Sequence, residues 1–281
     1  MSDATWYLGP VGDLRPLTCP EPQIETTEVR YGGTHQGLSG ARTMDVTGHA
    51  HEFTFTWTYL EQAEWQWLKA LHTRHIPGPV RLINPMLHNR LSTRATTLRI
   101  GTGMDTGVRH SGGILSRVAD WPSWAGPGYE SAEWTGWGSA FQYIRFDERY
   151  KTPVFAEETL TGSIYARSDT TQRVHILFDV FDRQLQRVGS TPYYEFEATP
   201  EWGRHWFTRT VPPGCAAVQL ALLPAEDYQV PLRLAAPQIA ATDEITDWDL
   251  GGAATTVHLD QLSTSSPRFP LTDCSMTLLE A

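Results

Sequence analysis

In the stretch "DWPSWAGPGYESAEWTGWGSAFQY", Trp121, Trp124, Trp134 and Trp137 cluster among glycine, proline and serine. Indole faces stack on the C–H faces of sugar rings, and neighbouring Asp, Glu and Arg can hydrogen-bond the hydroxyls, so this mixture suits a carbohydrate cleft. Trp121 and Trp124 stand in the most loop-like part and are the better placed for it. The alternative is a Trp-rich loop that plugs the end of a β-sandwich or anchors an interface.

Other chemistry is less complete. His49 and His51 in "HAH" would share one face of a strand, and His72 and His75 sit at i, i+3 of a helix, but no third ligand matches either pair, so no metal or cofactor is expected. "GTGMDTG" at 101–107 has G-x-G without G-x-G-x-x-G and without a following helix to hold a phosphate, and reads as a turn. There is no G-x-S-x-G elbow. Glu157, Glu158, Asp179 and Asp182 show no spacing that marks a catalytic pair, and no EF-type calcium loop is encoded. The expectation is a protein that is not an enzyme.

Composition narrows the partners. A formal charge of -10, from 22 Lys+Arg against 32 Asp+Glu, argues against a surface that tracks nucleic-acid phosphates. Cys19, Cys215 and Cys274 are odd in number and widely separated, so neither a disulfide framework nor a zinc ribbon is implied. The start "MSDATWYLGP" lacks a basic and then apolar leader, and no apolar run approaches the roughly 20 residues of a membrane span. The chain is expected to be made in the cytosol and to stay soluble, without membrane insertion.

The elements that must position these residues are mainly strands. In "HEFTFTWTYL", Phe53, Phe55, Trp57 and Tyr59 alternate with Thr54, Thr56 and Thr58, the pattern of a half-buried strand. A single helix follows in "LEQAEWQWLKALH", with Leu60, Ala63 or Glu64, Trp67 or Leu68, and Leu71 on one stripe and Thr58 and Glu61 spaced as a capping box. "IPGP" ends it, and Val80–Ile83 makes a short strand before Asn84-Pro85 turns the chain. From residue 160 onward, "LTGSIYARS", "RVHILFDVFD", "HWFTRTVPP", "AAVQLALLP" and "PLRLAAPQIA" succeed one another without a helix, which predicts an antiparallel β-sandwich. Two last strands, in "TTVHLDQL" and "CSMTLLEA", follow a polar exit.

Those last strands suit an inserted domain better than two domains in series. Residues 1–95 with 244–281 would form one discontinuous domain, and 96–243 the inserted one, because domain termini commonly lie close together. The Val80–Ile83 strand would then share a sheet with the final residues of the chain.

The order of "FTFTWTYL", "LEQAEWQWLKALH" and "PGPVRLINPMLHNRL", with the closing "FPLTDCSMTLLEA", resembles the N-terminal ring domain of distal tail and minor tail proteins of long-tailed (siphovirus-type) bacteriophages. The middle stretch, "LTGSIYARS" with "ATPEWGRHWFTRTVPPGCAAVQLAL" and "APQIA", resembles the jelly-roll carbohydrate-binding modules that also decorate such proteins. The first resemblance implies a virion protein of the tail tip or baseplate, assembled in the host cytoplasm. It would form a homohexamer ring that joins the tail tube protein to tail-tip and tail-associated proteins, with the tape measure protein as a further neighbour. The second implies a decorating domain for host attachment through a surface glycan. In the helix, Trp65 and Trp67 are about 200° apart at 100° per residue, so one can enter the core while the other meets a neighbouring subunit; the alternative buries both in one thick core. A second class of function remains open beside the ring protein: a monomeric carbohydrate-binding or glycan-cleaving protein.

Overall fold

A computed structural model describes residues 5–20, 24–37, 39–45, 48–98, 107–124, 131–136, 142–149, 151–226, 230–268 and 270–281. The chain is mainly β. It begins with β1 (Tyr7–Pro10), β2 (Arg15–Pro16), β3 (Glu25–Tyr31), β4 (Thr34–Gln36), β5 (Arg42–Met44), β6 (Gly48–Leu60), α1 (Gln62–His72) and β7 (Val80–Ile83). Next come α2 (Thr93–Thr96), β8 (Val108–Ser111), β9 (Ile114–Val118), β10 (Ser131–Thr135), β11 (Tyr143–Phe146), β12 (Thr152–Pro153) and β13 (Thr159–Ser168). The succession continues through β14 (Gln172–Phe181), β15 (Arg187–Ser190), β16 (Tyr194–Ala198), β17 (Gly203–Thr210), β18 (Ala217–Pro224) and β19 (Leu232–Ala240). It closes with β20 (Ala254–Arg268) and β21 (Leu271–Glu280).

These elements fall into two compact units, Met1–Leu82 with Thr255–Ala281, and Ile83–Ala254. The first is a seven-stranded sheet in the order β2-β1-β7-β20-β21-β6-β3, packed against α1. Val80–Ile83 does lie beside a strand from the end of the chain. The sheet holds together through the period-2 pattern of β6: Phe53, Phe55 and Trp57 face the core, in register with Leu278, Met276 and Cys274 of β21. Trp57 donates its indole N–H to the carbonyl of Thr18 at 2.7 Å, so this buried ring leaves no unmet donor of its own. Glu280 fixes the far end of the register. It accepts from the backbone N–H of His51 at 2.9 Å and from the hydroxyl of Thr255 at 2.8 Å, and lies 2.6 Å from the His51 ring.

α1 departs from the sequence expectation at its start. Thr58 still belongs to β6, and Glu61 is the N-cap with no side-chain hydrogen bond, so there is no capping box. The strand wins because Leu60 is 1% exposed and paired with Thr272, which keeps the chain extended through residue 60. Trp67, Leu68 and Leu71 then face the core. Trp67 is 7% exposed and roofed by the Arg15 guanidinium 5.2 Å from its ring, so it is the one of the pair that enters the core and is not placed to meet a neighbouring subunit. Trp65 is half-buried against the edge of the same core, with the Lys69 ammonium over its ring at 5.1 Å.

The second unit is an antiparallel β-sandwich. One sheet runs β17-β13-β19-β10-β9; the other runs β15-β14-β18-β11-β8, with β12 on β18 and β16 on β14. One core fills the space between them, with Trp134, Ile164, Phe207 and Leu234 from the first sheet and Ile144, Ile176, Phe178 and Leu220 from the second. At Gly162 rings from both sheets close over the backbone: a Cβ there would stand 2.7 Å from Phe207 and 2.9 Å from Phe178.

The two chain crossings of this unit form a polar neck. Asn84 N–H donates to Ala253 O at 2.8 Å, Ala253 N–H to Asn89 O at 3.0 Å and Gly252 N–H to Leu91 O at 2.7 Å. Asn89, fully buried, meets all of its side-chain valences: its amide donates to the carbonyls of Pro237 and Asp249, and its oxygen accepts from the N–H groups of Leu91 and Ile239. Residues 83–95 and 244–254, which the sequence reading gave to the other domain, therefore belong with the sandwich. Leu91 and Ala95 are part of its core. Periodicity carries no information about irregular segments; their hydrogen bonds decide where they belong.

Candidate ligand face of the sandwich

Alternation along β13 sends Leu160, Gly162, Ile164 and Ala166 into the core and Thr161, Ser163, Tyr165 and Arg167 to the opposite face of the sheet. In the β17 register Arg204 lies opposite Tyr165, Trp206 opposite Ser163 and Thr208 opposite Thr161, so these side chains share that outer face. β19 adds Gln238 opposite Ser163 and Arg233 opposite Arg167. Between those rows the pairing shifts register: Ala236 adopts φ 49° and is followed by Pro237, which has no N–H to give the ladder. A bulge at this point in a central strand re-aims neighbouring side chains, and it lies beside Tyr165.

An aromatic group stands on this face. The Trp124 ring is 5.2 Å from that of Tyr165 and 5.5 Å from that of Trp248, all tilted, while Trp124 and Trp206 are each 45% exposed. Polar groups surround it. Arg204 Nη2 donates to Ser163 Oγ at 3.1 Å and to Gln238 Oε1 at 2.9 Å, and its guanidinium lies 5.7 Å from the centre of the Tyr165 ring. Gln238 Nε2 in turn donates to Thr246 Oγ1 at 2.8 Å, which draws the segment before Trp248 onto the sheet. Burial pushes the Arg204 guanidinium below the ordinary arginine value, against the pull of Tyr165 and Asp247.

Asp120 holds the approach to Trp124. Its carboxylate pairs with Arg167 at 3.0 Å and Arg233 at 3.5 Å and accepts from the Trp202 indole at 3.3 Å, and its carbonyl accepts from the hydroxyl of Ser131. Arg233 is itself bound to Glu133 at 2.8 Å and Asp169 at 3.0 Å. Such a network, tied to three strands, fixes the loop that carries Trp121 and Trp124 to a rigid sheet.

The sequence-predicted tryptophans thus separate. Trp124 is on the face and exposed; Trp121, one residue beyond Asp120, is half-buried. Trp134 is 0% exposed, faces the sandwich core and donates its N–H to Gly112 O at 3.0 Å, so neither of its faces can reach a sugar. Trp137 lies outside the described residues, as does most of 101–107. Tyr165, Arg204, Trp206 and Trp248 were missed as site residues. The signal was present in "GRHWFTRT" and "GSIYARS": on each strand the positions opposite the apolar face carry an aromatic together with an arginine. The histidines find other roles. His51 pairs with Glu280, and His75 Nδ1 lies 2.7 Å from the hydroxyl of Thr73. No group of three metal-ligating side chains occurs among the described residues.

No protein-family model and no curated protein matches the chain. Among solved structures it is similar to the family 22 xylan-binding domain 1 of Xyn10C from Paenibacillus barcinonensis, at 16% identity and TM-score 0.39, covering 57% of this chain and 96% of that one. It is similar to the C-terminal family 22 carbohydrate-binding module of Clostridium thermocellum Xyn10B at 11% identity and TM-score 0.40, covering 57% and 95%. It is also similar to the enzymatically active domain of tailspike protein 4 of bacteriophage CBA120, at 12% identity and TM-score 0.42, covering 55% of this chain and 21% of that one.

Proposed function

We propose that the sandwich binds a glycan chain along the outer face of the β17-β13-β19-β10-β9 sheet. The observation that carries this reading is the joint presence of exposed Trp124 and Trp206 with Tyr165, Trp248, Arg204, Ser163 and Gln238 on one rigid surface. Indoles lose little entropy on binding, and stacking removes apolar surface from water on both partners, while the polar groups supply orientation. Two carboxylates of the face, Asp120 and Glu133, are committed to arginines, which favours binding over cleavage. In a glycan-array measurement with the full chain, Trp124→Ala and Trp206→Ala should each lower binding roughly tenfold or more, the effect of losing an interface hot spot. Unchanged binding by the double variant, with its circular dichroism intact, would remove this face from the site.

The other unit is proposed as the assembly module of a bacteriophage tail tip, a hexameric ring between the tail tube and the tip proteins. The feature that supports self-assembly is β3, which among the described residues is an edge strand paired only with β6 and is almost wholly exposed, beyond which the β4–β5 hairpin presents Met44 at 56% exposure close in sequence to Tyr31 at 55%. Closed rings use such unlike edges head to tail, and an edge this open is otherwise an aggregation risk. Ring display would make weak sugar sites effective, since linked sites raise avidity by about 10²–10⁴. A chain that stays monomeric in native mass measurements at high concentration would instead favour the monomeric glycan-binding reading.

A further inference from the structure

We infer that the glycan bound by this face carries a carboxylate, and that Arg204 receives it; this rests on the glycan-binding reading above. The other two arginines described on the face are neutralised, Arg167 by Asp120 and Arg233 by Asp120, Glu133 and Asp169. Arg204 differs. Its hydrogen bonds go to uncharged partners: Nη2 donates to Ser163 and Gln238, and the Tyr165 side chain bonds it as well. Its Nε is buried without a partner, and among the described residues no carboxylate stands within ion-pair distance, Asp247 included.

A half-buried guanidinium bonded only to neutral groups, with Asp247 acting from beyond ion-pair distance, is a costly arrangement in a free protein, because those groups replace the lost water incompletely. A bound anion supplies the replacement. Its guanidinium lies beside the ring of Tyr165, at the edge of the aromatic group that a sugar would meet. One monosaccharide seated against Tyr165 and Trp124 would bring a substituent of its ring to Arg204. Charge-assisted bonds from arginine to a carboxylate are about twice as strong as neutral ones. The acidic balance of the chain, -10 overall, disfavours polyanions at long range, so recognition falls to this one local contact and not to a broad basic field.

The probes are a glycan array holding neutral, uronate-bearing and phosphodiester-linked glycans, followed by the best uronate ligand before and after chemical reduction of its carboxyl groups to alcohols. The full-length parent should retain carboxylate-bearing glycans, and carboxyl reduction should weaken binding roughly 10- to 100-fold, the worth of a charge-assisted hydrogen bond. Arg204→Gln should lose binding of the acidic ligand to the same extent and bind the reduced ligand as the parent does. Arg204→Lys, which keeps the charge and the packing, should fall between them, which separates recognition from loss of fold. Hits confined to neutral glycans, or to phosphodiester polymers, would overturn the carboxylate assignment while the glycan-binding reading stands. Retention of no glycan by the parent would overturn that reading itself.

Discussion

Single residues set the chemistry of this chain, and several are testable alone. His205 on β17 faces the sandwich interior, stacked on Phe196 at 4.0 Å, with its Nε2 buried and unpartnered. Burial pushes its pKa down from 6.5 to about 4. The folded ring therefore stays neutral where the unfolded one protonates: stability is whole above pH 6.5 and is lost as pH falls from there toward 4. The loss is at most about 3 kcal/mol, and less after solvent screening of a partly exposed ring. Urea midpoints at pH 7, 5.5 and 4.5 should show His205→Phe flattening that decline; an identical decline in the variant would locate the acid sensitivity elsewhere. His51 and Glu280 behave differently. Their hydrogen bond raises the His51 pKa, and although burial opposes ionisation of Glu280, hydrogen bonds from His51 and Thr255 outweigh it and hold that carboxyl below its ordinary value. Their contribution is full between about pH 4.5 and 6.5, lost upward as His51 deprotonates and downward as Glu280 is protonated. Residue types alone singled out both Trp124, which is exposed, and Trp134, which is buried, because a tryptophan in a buried strand and one in a loop look alike in composition. Only the facing of β10 separates them.

Elements were legible where a pattern ran long enough. β6, β13, β17 and β21 carry a period-2 pattern and β14, β18 and β19 longer buried runs, and all were anticipated within a few residues. The short strands β8 to β12, β15 and β16 were not: they have two to five residues each and borrow their order from neighbours. β9 and β10 matter most among them, since Asp120 and Trp124 hang between the two. Pro237 inside "AAPQIA" was a readable mark of the bulge beside Tyr165, because proline in a central strand demands one. The packing of β13 against β14 and β17 gives a test at this scale. Gly162→Ala puts a methyl group 2.7 Å from Phe207 and 2.9 Å from Phe178, both buried rings. Overpacking of this kind costs about 1–3 kcal/mol, so the urea midpoint should fall with little change in the slope. A midpoint equal to the parent's would mean that the two sheets are less tightly opposed than described.

At the scale of the whole molecule, the chain leaves the first sheet at β7 and returns to it at β20, and the sandwich lies between. Replacing residues 85–252 by a two-residue Gly-containing turn should leave the first unit folded, since Asn84 and Ala253 are already joined by a backbone hydrogen bond of 2.8 Å. The shortened chain should keep the far-ultraviolet dichroism of a β-sheet with one helix, and, on the ring proposal, the native mass of an oligomer. A shortened chain that is soluble and folded but monomeric, beside an oligomeric parent, would place the assembly contacts in the sandwich. Variants of the neck give the converse test: Gly251 has φ 85° and a Cβ there would meet Leu91 O at 2.5 Å, so Gly251→Val should loosen the crossing and raise protease cleavage near residues 84–91 and 249–253.

The neck also bears on descent. Two chain crossings one hydrogen bond apart make residues 85–252 a cassette: any domain whose own ends lie side by side fits the same gap, with no change to the sheet that flanks it. A splice within two short stretches, residues 84–91 and 249–253, would be enough to exchange one sandwich for another. The inserted unit could thus be replaced while the β6–β21 pairing, fixed by Trp57, Met276 and Glu280, is left as it is.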